Sequence, residues 1–184
     1  MGDVGPLRIV LIGPESTGKT RLAGDLAERY GVSWAPEFAR EYVEGRTEPL
    51  AYGDVEAIAR GQKAGEDATV AQARRLGLPL VVLDTDLVST WVYSRHYFGD
   101  CPAWVEEAAR ERLGDLYLLH HVDVEWVADG AQREEPERRE ELFESFRSTL
   151  DSLGARVCDV TGSWEERGRR AVDAVDRLLS RLED

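Results

Sequence analysis

Residues Gly13 to Thr20 read GPESTGKT, the spacing G-x-x-x-x-G-K-[ST] of a loop that cradles nucleotide phosphates. Gly13 and Gly18 let backbone N–H groups turn inward around an anion, with Pro14, Glu15, Ser16 and Thr17 completing the ATP-binding turn. Lys19 has the reach to meet the β- and γ-phosphate oxygens, and the Thr20 hydroxyl is a ligand type suited to Mg²⁺. The apolar run LRIVLI, Leu7–Ile12, feeds straight into this turn and a helical stretch leaves it, the context a phosphate loop requires. The loop does not name the acceptor of the terminal phosphoryl group. A small alcohol, a protein, water or no acceptor at all, as in a nucleotide-driven switch, remain open at this point.

Acidic residues narrow the choice. VVLDTDLVST places Asp84 at the end of a buried run, where an acid beside a phosphate loop holds the water shell of Mg²⁺. Asp86, two residues on, has two readings: a carboxylate in the crevice that binds or activates a sugar hydroxyl, or the N-cap of the helix that follows. The same DTDLV resembles the D-x-D-x-[TV] motif of haloacid dehalogenase-type phosphatases. In those proteins the motif lies on the first strand, which here carries the phosphate loop. SWAPEFAREYVEG holds Glu37, Arg40 and Glu41 among Trp34, Phe38 and Tyr42. An acid here can take a proton from an acceptor hydroxyl, and the rings can wall a base. Glu37 and Arg40, three apart, also suit a surface ion pair on a short helix. Further on, in HHVDVEWVADGAQREEPERREELF, the arginines Arg133, Arg138 and Arg139 could close over a triphosphate, with Arg133 and then Arg138 the preferred lid residues. The alternative is a solvated helix start favoured by Glu134, Glu135 and Glu137.

These groups need a scaffold. Short apolar runs at Leu7–Ile12, Val32–Ala35, Leu78–Asp84, Asp115–His120 and Ala155–Val160 have the look of strands buried on both faces. Helical spacing covers Thr20–Tyr30, Asp54–Leu76 with a break expected near Gly61 or Gly65, Pro102–Leu113, Glu137–Leu153 and Trp164–Leu182. The alternation predicts an α/β fold, a five-stranded parallel sheet sandwiched by helices, of the phosphate-loop nucleotide-kinase type. Ligands in such sheets sit beyond the carboxyl ends of the strands, which gathers all the loops named above around one crevice. The chain of 184 residues suits a single domain, 1–184, with a lid region about 121–140.

Composition sets outer bounds. A formal net charge of -13 disfavours a nucleic-acid or membrane-surface partner, because such a surface repels phosphates. Cys101 and Cys158 lie far apart without metal spacing, as expected of reduced thiols in a cytoplasmic protein. The longest apolar runs are strand-sized, and the N-terminus lacks the apolar core of a signal peptide. Oligomeric state is not encoded in any of these features.

Taken together, GPESTGKT, PEFAREYV, VVLDTDLVSTWVY, VEWVADGAQR and VTGSWEER resemble the nicotinamide riboside kinases of the NadR type, roughly from Leu7 to Leu179. Glu15-Ser16 inside the loop and the DTD sequence are the more specific matches. The resemblance implies ATP-dependent phosphorylation of the 5′-hydroxyl of nicotinamide riboside to nicotinamide mononucleotide, with ATP and Mg²⁺ as cofactors. It implies that Lys19 and Thr20 contact ATP and Mg²⁺, that Asp84 and Asp86 form the acidic pair, and that Glu37 and Arg40 serve the acceptor. It also implies that Tyr97 presents an aromatic ring to the nicotinamide, and that Trp164 packs against adenine. Some relatives carry an aromatic residue where this chain has Pro36, and Trp34 is the expected substitute in the substrate pocket. Bifunctional relatives add an adenylyltransferase domain, whose H-x-G-H-like segment this chain lacks, so a stand-alone kinase is expected.

Overall fold

The computed structural model describes residues 5–125 and 138–181. Arg133, and with it most of the expected lid, falls outside the described residues.

Strands and helices alternate: β1 Leu7–Ile12, α1 Lys19–Tyr30, β2 Trp34–Ala35, α2 Phe38–Val43, α3 Val55–Leu76, β3 Leu80–Asp84, α4 Leu87–Phe98, α5 Ala103–Glu111, β4 Leu116–His120, α6 Arg139–Ser152, β5 Val157–Val160 and α7 Trp164–Ser180. The strands form one parallel five-stranded sheet in the order β2-β3-β1-β4-β5. This is the expected α/β sandwich. Residues on β1 alternate between two cores. Leu7, Ile9 and Leu11 pack with α1 and α7, while Val10 and Ile12 pack with the layer of α3, α4, α5 and α6. With helices on both faces, every residue of β3 and β4 is buried, which is why those segments read as unbroken apolar runs.

Three strands begin later than their apolar runs, for one physical reason. The amide of Val32 bonds back to Ala27 O at 3.0 Å, that of Leu78 to Ala73 O at 3.0 Å, and that of Ala155 to Leu150 O at 3.1 Å. Each of these apolar residues closes the end of the preceding helix, satisfying a carbonyl left over there, before the strand starts. The expected break in α3 does not occur. Gly61 lies where a Cβ would come within 2.2 Å of the Phe38 ring, so this glycine makes room for α2 while the helix runs straight through.

Register aligns the site. Leu11 of β1 pairs with Asp84 of β3, and Ile12 pairs with Leu119 of β4. The phosphate loop therefore leaves the sheet between Asp84 and His120. The chain crosses from one side of β1 to the other after β3, so this is also the switch point of the sheet, where α/β folds open a crevice.

Candidate active site

The loop between β1 and α1 turns through Ser16, a non-glycine residue in the left-handed region at φ 54°. Such a conformation costs roughly 1–3 kcal/mol and persists only where neighbours enforce it. The neighbours are visible. Thr17 Oγ1 donates to Pro14 O at 2.8 Å, and Lys19 Nζ donates to the same carbonyl at 2.7 Å. Lys19 is buried, and that desolvation lowers its pKa from the ordinary 10.5 against the pull of Glu37, Asp84 and Glu15. α1 has no side-chain cap at Gly18, so its first amides are left for an anion to satisfy.

Three further side chains brace the loop from behind. The buried imidazole of His120 meets Thr17 O through Nδ1 at 3.0 Å, while burial pushes its pKa down to about 3. The ring is therefore neutral near pH 7, and a bond to a carbonyl puts its single proton on Nδ1. Arg167, only 1% exposed, donates to Thr17 O at 3.4 Å, to Gly162 O at 2.9 Å and to His121 O at 3.2 Å, and it pairs with Asp123. Arg139 spans Ser16 O and Val124 O, each at 3.4 Å. Trp164, 47% exposed at the start of α7, lies so close that a Cβ on Gly18 would stand 2.3 Å from its ring. The Arg21 guanidinium sits 5.0 Å from the centre of that ring. Ser163 and Glu166 fix the helix start reciprocally, the Ser163 hydroxyl accepting from Glu166 N at 3.3 Å and Glu166 Oε2 accepting from Ser163 N at 2.8 Å.

On the other side, Thr20 Oγ1 donates to Asp84 Oδ2 at 2.6 Å. Asp84 Oδ1 is buried without a hydrogen-bond partner. Burial first, and the nearby Glu37 second, push the Asp84 pKa up to about 6. A hydroxyl and a carboxylate with one oxygen unsatisfied fit a hard cation that keeps most of its ligands as water and phosphate.

Beyond Lys19 opens a cleft with room for about 90 Å³ of water-sized centres. Glu15, Lys19, Glu37 and Arg40 stand at its polar end, while Ala39, Val43, Leu50, Val55 and Ile58 make an apolar floor. Glu37 precedes α2 and pairs with Arg40 at 3.4 Å, so the expected ion pair forms, and it forms on the cleft wall. Gln62 ties two walls together: its Oε1 accepts from Phe38 N at 2.9 Å, and its Nε2 donates to Thr85 O at 3.2 Å. Thr85 holds a left-handed φ of 68° between the two acids.

Four expected positions change. Asp86 does not face the cleft. It is buried as the N-cap of α4, Oδ1 accepting from Val88 N at 3.0 Å and Oδ2 from the Tyr117 hydroxyl at 2.7 Å. The left-handed turn at Thr85 swings it under the sheet edge, and burial raises its pKa. Trp34 packs into the core on the α1 and α7 side, because the neighbouring Ala35 takes the other face of β2. Tyr97 does not line the cleft. It lies parallel to Tyr93 at 6.0 Å, and Tyr93 forms the wall. Arg138 pairs with Glu141 at 3.1 Å on the surface of α6, whereas Arg139, one residue on, is the arginine that turns in to Ser16. Gly13, Pro14, Glu15, Ser16, Thr17, Gly18, Lys19, Thr20, Glu37, Arg40, Asp84 and Trp164 come together as expected around the carboxyl edge.

Tyr93, Gln62, His120 and Arg167 carry weight that the sequence reading did not assign them. Tyr93 is one helical turn before Tyr97, so the two share a face. Arg167 precedes Ala171, Ala174 and Val175 at helical spacing, an arginine on an otherwise apolar stripe.

The architecture has known counterparts. Over 126 residues the chain is 32% identical to the trifunctional NAD biosynthesis/regulator protein NadR of Salmonella typhimurium, a stretch that covers 66% of this chain and 30% of the relative. The NadR of Escherichia coli K12 matches at the same 32% over 126 residues. The chain thus spans under a third of the length of these curated relatives. Among solved structures, NadR in complex with NAD and AMP-PNP superposes with a TM-score of 0.72 at 25% identity, over 95% of this chain and 50% of that one. NadR in complex with NR superposes at 0.73 with 24% identity, over 94% and 49%. A thymidylate kinase from Ehrlichia chaffeensis shares the fold at 0.66 with 14% identity, over 95% and 99%. The family match itself runs from residue 8 in β1 to residue 167 in α7, from the strand that carries the phosphate loop to the arginine that braces it, and by it the chain belongs to the AAA domain family, with NadR proteins among its relatives.

Proposed function

We propose that the chain is an ATP-dependent kinase that transfers the γ-phosphoryl group to the 5′-hydroxyl of nicotinamide riboside, giving nicotinamide mononucleotide. The observation that carries this reading is the cleft itself: a half-apolar chamber opening directly off Lys19, with a carboxylate at its polar end. Bare hydrolysis or a switch has no use for such a chamber. Support comes also from the NadR relatives, solved in one case with NR and in another with AMP-PNP.

In this reading the loop from Gly13 to Gly18 and the first amides of α1 bind the triphosphate. Lys19 leaves Pro14 O for the phosphate oxygens. Mg²⁺ would be held by Thr20 Oγ1 and Asp84 Oδ1, where it supplies charge neutralisation to the phosphates. Glu37 holds the acceptor hydroxyl and takes its proton as the hydroxyl oxygen bonds to the γ-phosphorus and the bond to the ADP oxygen breaks. With Asp86 committed to its cap, Glu37 is the base of choice, and Arg40 keeps its carboxylate oriented. Arg139 supports the loop carbonyls from behind, Arg133 is retained as the lid arginine, and Trp164 stands at the edge of Gly18 as a platform for adenine. Val43, Leu50, Val55 and Ile58 seat the ring and exclude water, with Tyr93 at its edge.

The test is ADP release with nicotinamide riboside, pyrimidine nucleosides and purine nucleosides as acceptors. The reading expects release that depends on nicotinamide riboside and yields its 5′-monophosphate. Slow ATP loss indifferent to every acceptor would sink it.

A further inference from the structure

The phosphate loop carries a carboxylate whose role phosphate binding does not explain. Glu15 lines the acceptor cleft rather than the loop interior. Its Oε2 accepts a hydrogen bond from the Tyr93 hydroxyl at 3.1 Å, while its Oε1 is buried with no partner. A buried carboxylate oxygen without a donor is costly, and its persistence beside a cleft points to a missing ligand group. The side chain is held in place rather than drifting: Tyr93 stacks on Tyr97 and meets the Phe146 ring edge-on at 5.5 Å.

The charges of the cleft give that group a sign. Its charged lining is Glu15, Glu37, Lys19 and Arg40. Glu37 pairs with Arg40, and bound triphosphate takes up Lys19. Glu15 is then the carboxylate left without a cation, and no ion pair involves it among the described residues. The apolar floor keeps the local dielectric low, so a single charge acts strongly here.

We propose that Glu15 is a charge-selecting residue of the acceptor cleft, favouring a cationic pyridinium riboside over a neutral nucleoside of the same shape. This rests on the acceptor reading above and deepens it: the cleft would select its substrate by ring charge as well as by ring size.

The test pairs nicotinamide riboside with its neutral 1,4-dihydro form, measuring kcat/KM for each in the wild type and in Glu15→Gln. A unit charge within about 7 Å at the effective dielectric of a partly buried site is worth about tenfold or more. The wild type is expected to prefer the cation by about that factor, and Glu15→Gln to shrink the preference most of the way to unity, chiefly through the KM of the cationic acceptor. Equal losses for both acceptors, or a loss residing in the KM for ATP, overturn the inference and leave the kinase reading intact. A wild type that uses both ribosides equally well overturns it without any variant. A wild type that phosphorylates neither riboside sinks the acceptor reading, and the inference falls with it.

Discussion

The two halves of the site are built differently. The phosphate half is held from three directions, by His120 at the end of β4, Arg139 at the start of α6 and Arg167 on α7, all of them buried. The acceptor half has one lightly held wall, α2, a helix of six residues with none buried that follows β2, a strand of two residues, and this wall faces the longer helices α3 and α4. Gln62 is the main polar tie between α2 and the sheet edge. Triphosphate binding needs donors fixed in advance, so that no reorganisation is spent at the moment of transfer. Selecting and releasing a nucleoside calls for a wall that can yield, and segments with few buried contacts open most readily.

Mutations can break this contrast. Replacing Lys19 with Ala should lower kcat/KM by roughly 10³–10⁵-fold with the circular dichroism and melting temperature nearly unchanged, because the lysine serves the transferred charge more than the fold. Arg167→Met should do the reverse. Removing the buried guanidinium leaves the carbonyls of Thr17, Gly162 and His121 without that donor, at a cost of roughly 1–3 kcal/mol or more read as lost denaturant stability, while Asp123 keeps its bonds from Thr161 Oγ1 and Gly162 N.

A sharper cut compares the two acids. Glu37→Gln should reduce kcat by roughly 10²-fold or more with stability within about 0.5 kcal/mol. Asp86→Ala should cost roughly 2 kcal/mol of stability, through the lost cap and the stranded Tyr117 hydroxyl, with a much smaller effect on kcat. If Asp86→Asn abolishes turnover while the fold survives, the assignment of the base to Glu37 is wrong.

Gln62→Ala loosens only the acceptor wall. It should raise the KM for the nucleoside about tenfold while leaving that for ATP within about twofold, with a stability loss of roughly 1–2 kcal/mol.

The smallest effect concerns pH. His120 has a folded pKa of about 3, below the ordinary 6.5 it regains on unfolding. The unfolded chain therefore takes the proton first, and the stability contributed by the neutral ring, complete above pH 6.5, is lost as pH falls toward 3. At pH 5.5 the loss relative to pH 7 is about 1.3 kcal/mol, and His120→Gln should flatten that part of the stability profile.

Much of this was legible in the chain. The spacing of Gly13, Gly18, Lys19 and Thr20 specified the loop because phosphate geometry allows few solutions. The apolar runs specified a sheet covered on both faces, and the resemblance to NadR-type proteins agrees with relatives at 32% identity. Reading side-chain direction went less well. Asp86 and Tyr97 sat in the right segments and pointed elsewhere, and Arg138 and Arg139 differ by one position on a helix, a turn of about 100°. The backbone pattern fixes which end of a strand a residue occupies. It does not fix whether a turn such as Thr85 swings the next residue into the cleft or beneath it.

By itself, then, the sequence determined the local chemistry: a turn that binds phosphate, an acid at the end of a buried strand, and helices of sufficient amphipathicity to cover a sheet. Tertiary structure decided what long-range contacts alone can decide. The choice between cap and base went to the Tyr117 hydroxyl, 31 residues away from Asp86. The bracing of the loop went to Arg167, 150 residues away from Thr17. A wall of the cleft went to Tyr93, whose ring meets Phe146 edge-on, 53 residues away. Local propensity carries no information about partners so distant in the chain, because those contacts exist only after the core has brought their elements together.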